Sequence, residues 1–204
     1  MPRFSNHTQF DAARAKAQQM GVFRTRDMVA AGYPREYLRR LVQQKEIRQL
    51  SRGLYSSATF EGDQNQSLVA VAKRVPRGVV CLFSALQFHG IGTQSPHETW
   101  IALPRGTNVP RVTDLPVRFC RFSEIAHTCG IEEHQLSGGV VRIYSAAKTV
   151  ADCFKYRQKY GLDVAIEALR EGWRQKKIKM KDLSAAAAAC RVSRVMQPYL
   201  EMLT

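Results

Sequence analysis

Between Pro34 and Lys45 the sequence sets Glu36, Arg39, Arg40 and Gln43 on one side of a helix, opposite Leu38, Leu41 and Val42, at about 100° per residue. Tyr37 and Gln44 flank that side. Arginine can pair bidentately with a guanine edge and glutamine with an adenine edge, so this face carries the groups needed to read a major groove. Arg35 lies early in the same helix, nearer the core edge, within reach of a phosphate or a base. Arg24, Thr25 and Arg26 open the preceding helix, where free N–H groups and the positive dipole end favour a phosphate. Arg48 and Arg52 stand in a hairpin that follows, placed to track the neighbouring backbone or minor groove. A helix with leucine inside and arginine outside is, taken alone, an ordinary solvated surface helix. The order of the surrounding elements is what points to DNA.

Other chemistry finds less support. His127, Cys129, Glu132, Glu133 and His134 share one segment, but their spacing matches neither a zinc finger nor a zincin. His89 precedes Gly90 at the end of an expected helix, where a histidine serves the terminal carbonyls. Gly90-Ile91-Gly92 has too few glycines in frame for a dinucleotide fingerprint, and no phosphate-loop lysine follows a glycine cluster. The five cysteines, Cys81, Cys120, Cys129, Cys153 and Cys190, are scattered without a C-x-x-C pair and read as reduced thiols. No catalytic, cofactor or metal site is expected, and the chain is not expected to be an enzyme. Arg174, Lys176, Lys177, Lys179 and Lys181 form a second basic surface between two helices, either a solubilising face or a partner site.

The elements that must position these residues follow from periodicity. Gln9–Met20 carries Phe10, Ala13, Ala17 and Met20 at helical spacing and stops at Gly21. A short helix begins with Thr25 as expected N-cap and closes at Gly32. The helix from Pro34 comes next, then short strands at Ile47–Leu50 and Leu54–Ser57 around Ser51, Arg52 and Gly53. The polar stretch Glu61–Gln66 marks an expected domain joint. Beyond it the sequence predicts helices at Ser67–Arg74 and Ser84–His89, and strands at Thr99–Leu103, Pro116–Phe122 and Gly139–Tyr144. Helices follow from Ser145 to about Lys159 and at Leu162–Gln175, Lys181–Cys190 and Ser193–Leu203. The fold class expected is α+β. Residues 1–62 form a winged helix-turn-helix, and residues 63–204 a helix-rich mixed α/β domain.

The bulk numbers agree. At 204 residues and 45% hydrophobic the chain can fill two modest cores, and a net charge of +14 draws polyanions. Residues 1–60 hold basic side chains from Arg3 to Arg52 against only Asp11, Asp27, Glu36 and Glu46, and a second basic block runs from Lys148 to Arg194. No signal-like apolar segment opens the chain and no run is long enough to span a membrane, so a cytoplasmic location is expected.

Four segments carry a family resemblance. They are Gly21-Val22-Phe23-Arg24-Thr25 through Ile47-Arg48-Gln49-Leu50-Ser51-Arg52-Gly53-Leu54-Tyr55; Ser84-Ala85-Leu86 with His89-Gly90; Trp100 to Gly106; and Tyr144 to Asp152 with Ala165-Ile166-Glu167-Ala168-Leu169-Arg170. In that order and spacing they resemble the AbiEi-type antitoxins of type IV toxin-antitoxin and abortive-infection (phage-defence) systems. The resemblance implies a repressor that binds inverted operator repeats of its own operon through the N-terminal domain. It also implies a C-terminal domain that counters a nucleotidyltransferase-like toxin, with or without direct contact, and self-association on DNA. It transfers no catalytic motif. Two alternatives stay open: a transcriptional regulator with a ligand-sensing C-terminal domain, and a nucleic-acid-processing enzyme targeted by the winged helix.

Overall fold

A computed structural model describes residues 6–58 and 65–203. Residues 61–64 of the expected joint therefore lie outside the described residues, and its last residue, Gln66, already begins a helix. The protein is α+β and divides into two compact units: 1–76 with 112–115 and 135–141, and 77–111 with 116–134 and 142–204.

In the smaller unit, α1 (Asn6–Met20), β1 (Val22–Arg24), α2 (Thr25–Ala30) and α3 (Arg35–Gln43) precede the hairpin of β2 (Ile47–Ser51) and β3 (Leu54–Ser57) and the helix α4 (Gln66–Arg74). The apolar stripes read from the sequence make its core. Phe10, Ala13 and Ala17 of α1 pack with Phe23, Met28, Leu38, Leu41 and Ile47. Leu41 is fully enclosed, and truncating such a leucine to alanine costs about 2–5 kcal/mol. The strand β1 was not expected, because three residues after a glycine give no periodicity. It completes a three-stranded antiparallel sheet of order β1-β3-β2, pairing Val22, Phe23 and Arg24 with Ser56, Tyr55 and Leu54. Gly53, at φ +73°, turns the hairpin where a side chain would be strained. Leu68, Val69, Ala70 and Val71 of α4 are buried, and α4 packs on β1.

The larger unit is built on β4 (Val79–Val80), α5 (Leu82–His89), β5 (Thr99–Pro104), β6 (Val117–Phe122), α6 (Glu124–Thr128), most of β7 (Ile131–Leu136) and the second half of β8 (Gly139–Tyr144). Its sheet has the order β6-β5-β4-β8-β7, with β5 parallel to β6 and antiparallel to β4. Trp100, Ile101, Ala102 and Leu103 are all buried, the mark of a strand covered on both faces. The strands β4 and β7 escaped the sequence reading, the first through its two-residue length and the second through its polar run Glu132-Glu133-His134. Five helices complete the unit: α7 (Ala146–Lys155), α8 (Arg157–Tyr160), α9 (Leu162–Arg174), α10 (Met180–Cys190) and α11 (Ser193–Glu201). Ser145 caps α7 as expected, its Oγ accepting the Lys148 N–H at 3.2 Å. The helix expected to run on to Lys159 breaks at Tyr156, whose hydroxyl donates to the Arg121 carbonyl at 2.9 Å. Gly90 ends α5 in the left-handed conformation that glycine adopts without strain.

Among the described residues no helix is long and apolar enough to cross a membrane. Cys81, Cys120, Cys153 and Cys190 are buried free thiols, and Cys129 is half-buried.

Candidate nucleic-acid interface

The elements that carry the expected DNA contacts are tied together by backbone bonds. Tyr33 N–H donates to the Met28 carbonyl at 3.0 Å and closes α2 one turn before α3 begins. Thr25 N–H donates to the Gly53 carbonyl at 3.0 Å, which fixes the start of α2 to the hairpin turn. Arg26 and Arg52 are the chain neighbours of these bonded residues, so the structure brings the opening of α2 and the hairpin together. Arg26, Arg35, Glu36, Arg39, Gln43, Arg48 and Arg52 are exposed. Among the described residues no carboxylate forms an ion pair with Arg35, Arg39 or Arg52.

Other candidates stand elsewhere. Tyr37 is 8% exposed, with its ring edge-on to Phe10 at 5.3 Å and its hydroxyl 3.4 Å from Gln9 Oε1, so it belongs to the core and not to the outer face. Arg40 is exposed, but its guanidinium lies over the Phe10 ring at 4.2 Å from the centroid, which turns it toward α1. Arg24 is engaged: Nη1 donates to the Lys73 carbonyl at 2.7 Å, and Nη2 and Nε face Asp27 at 3.2 and 3.3 Å. Arg24 also takes the N-cap position expected of Thr25, and its N–H donates to Asp27 Oδ2 at 2.8 Å. Partial burial pushes the Asp27 carboxyl up, yet hydrogen bonds from the Arg24 guanidinium and N–H outweigh it and hold the group below its ordinary value. With the N–H groups of Arg24 and Thr25 both in use, this helix end is less open to a phosphate than the sequence implied. Lys45, exposed in the turn after α3, is a cation the helix-face argument left out because it lies past the last helical turn.

The sequence of these elements decides their kinship: residues 11–58 match the family model described as transcriptional regulator, AbiEi antitoxin. This segment is similar to an AbiEi-type domain. It covers α2, α3 and the hairpin, the region that holds every DNA candidate named above. A crystal structure of the RV2827C protein from Mycobacterium tuberculosis shares the fold at a TM-score of 0.61 and 11% identity, covering 98% of this chain and 79% of that one. No curated protein matches the sequence.

Outside the matched segment, the second basic surface is partly consumed by structure. The Lys177 ammonium bonds the carbonyl of His89, with that of Gly90 at 3.4 Å, and so caps the end of α5. Arg174 faces Glu171 at 3.6 Å, leaving Lys176, Lys179 and Lys181 exposed without an ion pair among the described residues. His89 does not serve its own helix end. Its Nε2 donates to the Tyr144 carbonyl at 2.7 Å, and burial holds the ring below its ordinary value. The His and Glu side chains of residues 127–134 are dispersed: His127 is buried on α6, while Glu132 and Glu133 are exposed on β7 and His134 pairs with Glu132 at 3.2 Å. Among the described residues no three His, Cys, Asp or Glu side chains could hold one ion.

Proposed function

We propose that this protein is a DNA-binding autorepressor and antitoxin that acts in the cytoplasm. In this reading α3 enters the major groove of operator repeats in its own operon, with Arg39 and Gln43 at base edges and Arg35 early in the helix. Arg26, Arg48 and Arg52 follow the phosphates, and the larger unit counters a nucleotidyltransferase-like toxin. The observation that carries the reading is the AbiEi match over 11–58 coinciding with exposed Arg35, Arg39 and Arg52, which have no carboxylate partner among the described residues. Exposed cations of α2, α3 and the hairpin supply the counterion-release term that dominates affinity for DNA, and Arg39 and Gln43 supply the base-edge term.

The test is a mobility-shift titration of the chain against its own upstream region and a scrambled duplex of equal length, beside growth rescue when the chain is co-expressed with the adjacent gene. Sequence-selective binding together with rescue is expected. Equal affinity for both duplexes would reject the repressor half, and unrescued growth at matched soluble levels would reject the antitoxin half.

A further inference from the structure

Four cations from separate stretches of the larger unit converge on one cavity of about 270 Å³. It lies where the parallel strands β5 and β6 end, beside the last turns of α7 and α10. Arg105 follows β5, Arg121 precedes the final residue of β6, Lys155 ends α7, and Arg191 caps α10; Phe122 and Tyr156 supply aromatic wall. The crevice beyond the carboxyl ends of adjacent parallel strands is where α/β sheets commonly place a ligand.

The site is held in place. Arg105 N–H donates to the Phe122 carbonyl at 2.8 Å, and Arg121 Nη1 donates to the Pro104 carbonyl at 3.0 Å, tying the two strand ends together. Arg191 sits at φ +57°, a left-handed cap position that usually falls to glycine, so a cation stands there against backbone preference. The charge is not balanced. Among the described residues none of the four cations forms an ion pair, and the one carboxylate in the wall, Asp152, is taken by Lys148 at 2.6 and 2.7 Å. The two helix ends contribute roughly half a negative charge each, which leaves about three uncompensated positive charges around a space smaller than most drug-sized pockets.

We propose that this cavity binds a small phosphate-bearing anion, of pyrophosphate to mononucleotide size, with Arg105, Arg121, Lys155 and Arg191 as its phosphate ligands. The proposal stands apart from the DNA reading, since no residue of α2, α3 or the hairpin takes part.

The experiment is calorimetric titration of the full chain with pyrophosphate, AMP and ATP at constant ionic strength, with sulfate as control, on wild type, Lys155→Ala, Arg191→Gly and the double variant. Saturable binding of at least one of the three phosphate probes is expected, with each single variant weaker by about tenfold or more, as for loss of a charge-assisted hydrogen bond. Arg191→Gly should keep or raise the Tm, because glycine suits the left-handed cap, so a loss of binding there cannot be misfolding. Affinity for the chain's upstream duplex should stay unchanged. No saturable binding of any of the three, equal affinity in the double variant, or sulfate binding as tightly as all three would overturn the proposal. A double variant that loses duplex affinity while wild type ignores all three small probes would assign the cavity to the nucleic-acid backbone, and would overturn it equally.

Discussion

Replacing Lys148 with methionine should destabilise the larger unit in a way that depends on pH. Lys148 and Asp152 are fully buried one helical turn apart, and the ammonium meets both carboxylate oxygens at 2.6 and 2.7 Å. It also lies over the Tyr144 ring at 4.1 Å and the Phe122 ring at 4.8 Å, while Cys190 Sγ donates to Asp152 Oδ1 at 3.2 Å. Burial pushes the Asp152 carboxyl up to about 6 against the pull of Lys148 and Cys190. Removing the ammonium leaves burial less opposed, so the group must enter the fold neutral. Neutralising a carboxyl at pH 7 costs about 1.4 kcal/mol for each unit above its folded wild-type value of about 6, so the proton-linked part of the deficit is about 1.4 kcal/mol. The lost ammonium hydrogen bonds and ring contacts add to it, toward the roughly 3–5 kcal/mol that breaking a buried pair costs. The sign follows from proton binding: an acid whose folded pKa exceeds its unfolded one holds more protons when folded, so stability is gained as pH falls. The Lys148→Met deficit should therefore shrink by about 1.4 kcal/mol per unit from pH 7.5 down to about 6, where the wild-type carboxyl takes up its own proton, and stay level from there to pH 5. Lys148→Met with Asp152→Leu should lie within about 2 kcal/mol of wild type at every pH, since apolar replacement of a whole pair is often neutral. Trp100 and Trp173 both belong to the larger unit, so urea unfolding followed by tryptophan fluorescence from pH 5 to 7.5 reads it directly. A deficit that does not change with pH, or a double variant as unstable as the single one, would refute the reasoning.

Arg39→Ala should weaken operator binding by about 1–3 kcal/mol and relax selectivity at one base pair, with unfolding unchanged, as read by titration against single-site operator variants. Arg52→Ala should weaken binding to all duplexes alike and flatten the salt dependence by about one phosphate's worth, seen in affinities across a salt series. Tyr37→Ala should cost about 3 kcal/mol of stability in the smaller unit by emptying its site beside Phe10, while Tyr37→Phe should leave operator affinity at the wild-type value. A fragment of residues 1–76 should bind operator DNA and unfold at higher urea than one of residues 1–62, because only the longer fragment keeps the Lys73 carbonyl that Arg24 donates to and the buried face of α4.

How much of this was legible in the sequence depended on how far apart the partners lie along the chain. Contacts repeated every turn leave a period, so the stripes of α1 and α3 and the cap at Ser145 could be read directly. So could Gly90, whose left-handed φ follows from a helix stopping at a glycine. The face of α3 was legible to within one residue: Tyr37 lies on its border, and what buries it is Phe10, a residue of another helix that periodicity within α3 cannot report. The strand β1 was not legible, because its signal is pairing with β3, 30 to 34 residues on. The same holds for Lys177 on the carbonyls of α5 and for the four cations of the cavity, whose positions in sequence run from Arg105 to Arg191.

Arginine in the smaller unit serves at least three ends, and residue type does not distinguish them. Arg24 is spent on Asp27 and the Lys73 carbonyl, so its removal should register in unfolding before it registers on DNA. Arg40 lies on Phe10, which makes it a brace for α1 as much as a contact, and its loss should register in both. Among the described residues Arg35, Arg39 and Arg52 have neither a carboxylate nor a ring against them, so the fold gains little from their presence. Cations exposed without partners repel one another and lower the stability of a domain that already carries excess positive charge. A polyanion removes that repulsion when it binds, so operator DNA should raise the Tm of the smaller unit by more in wild type than in Arg39→Ala or Arg52→Ala. A set of arginines held only by packing would show no such difference.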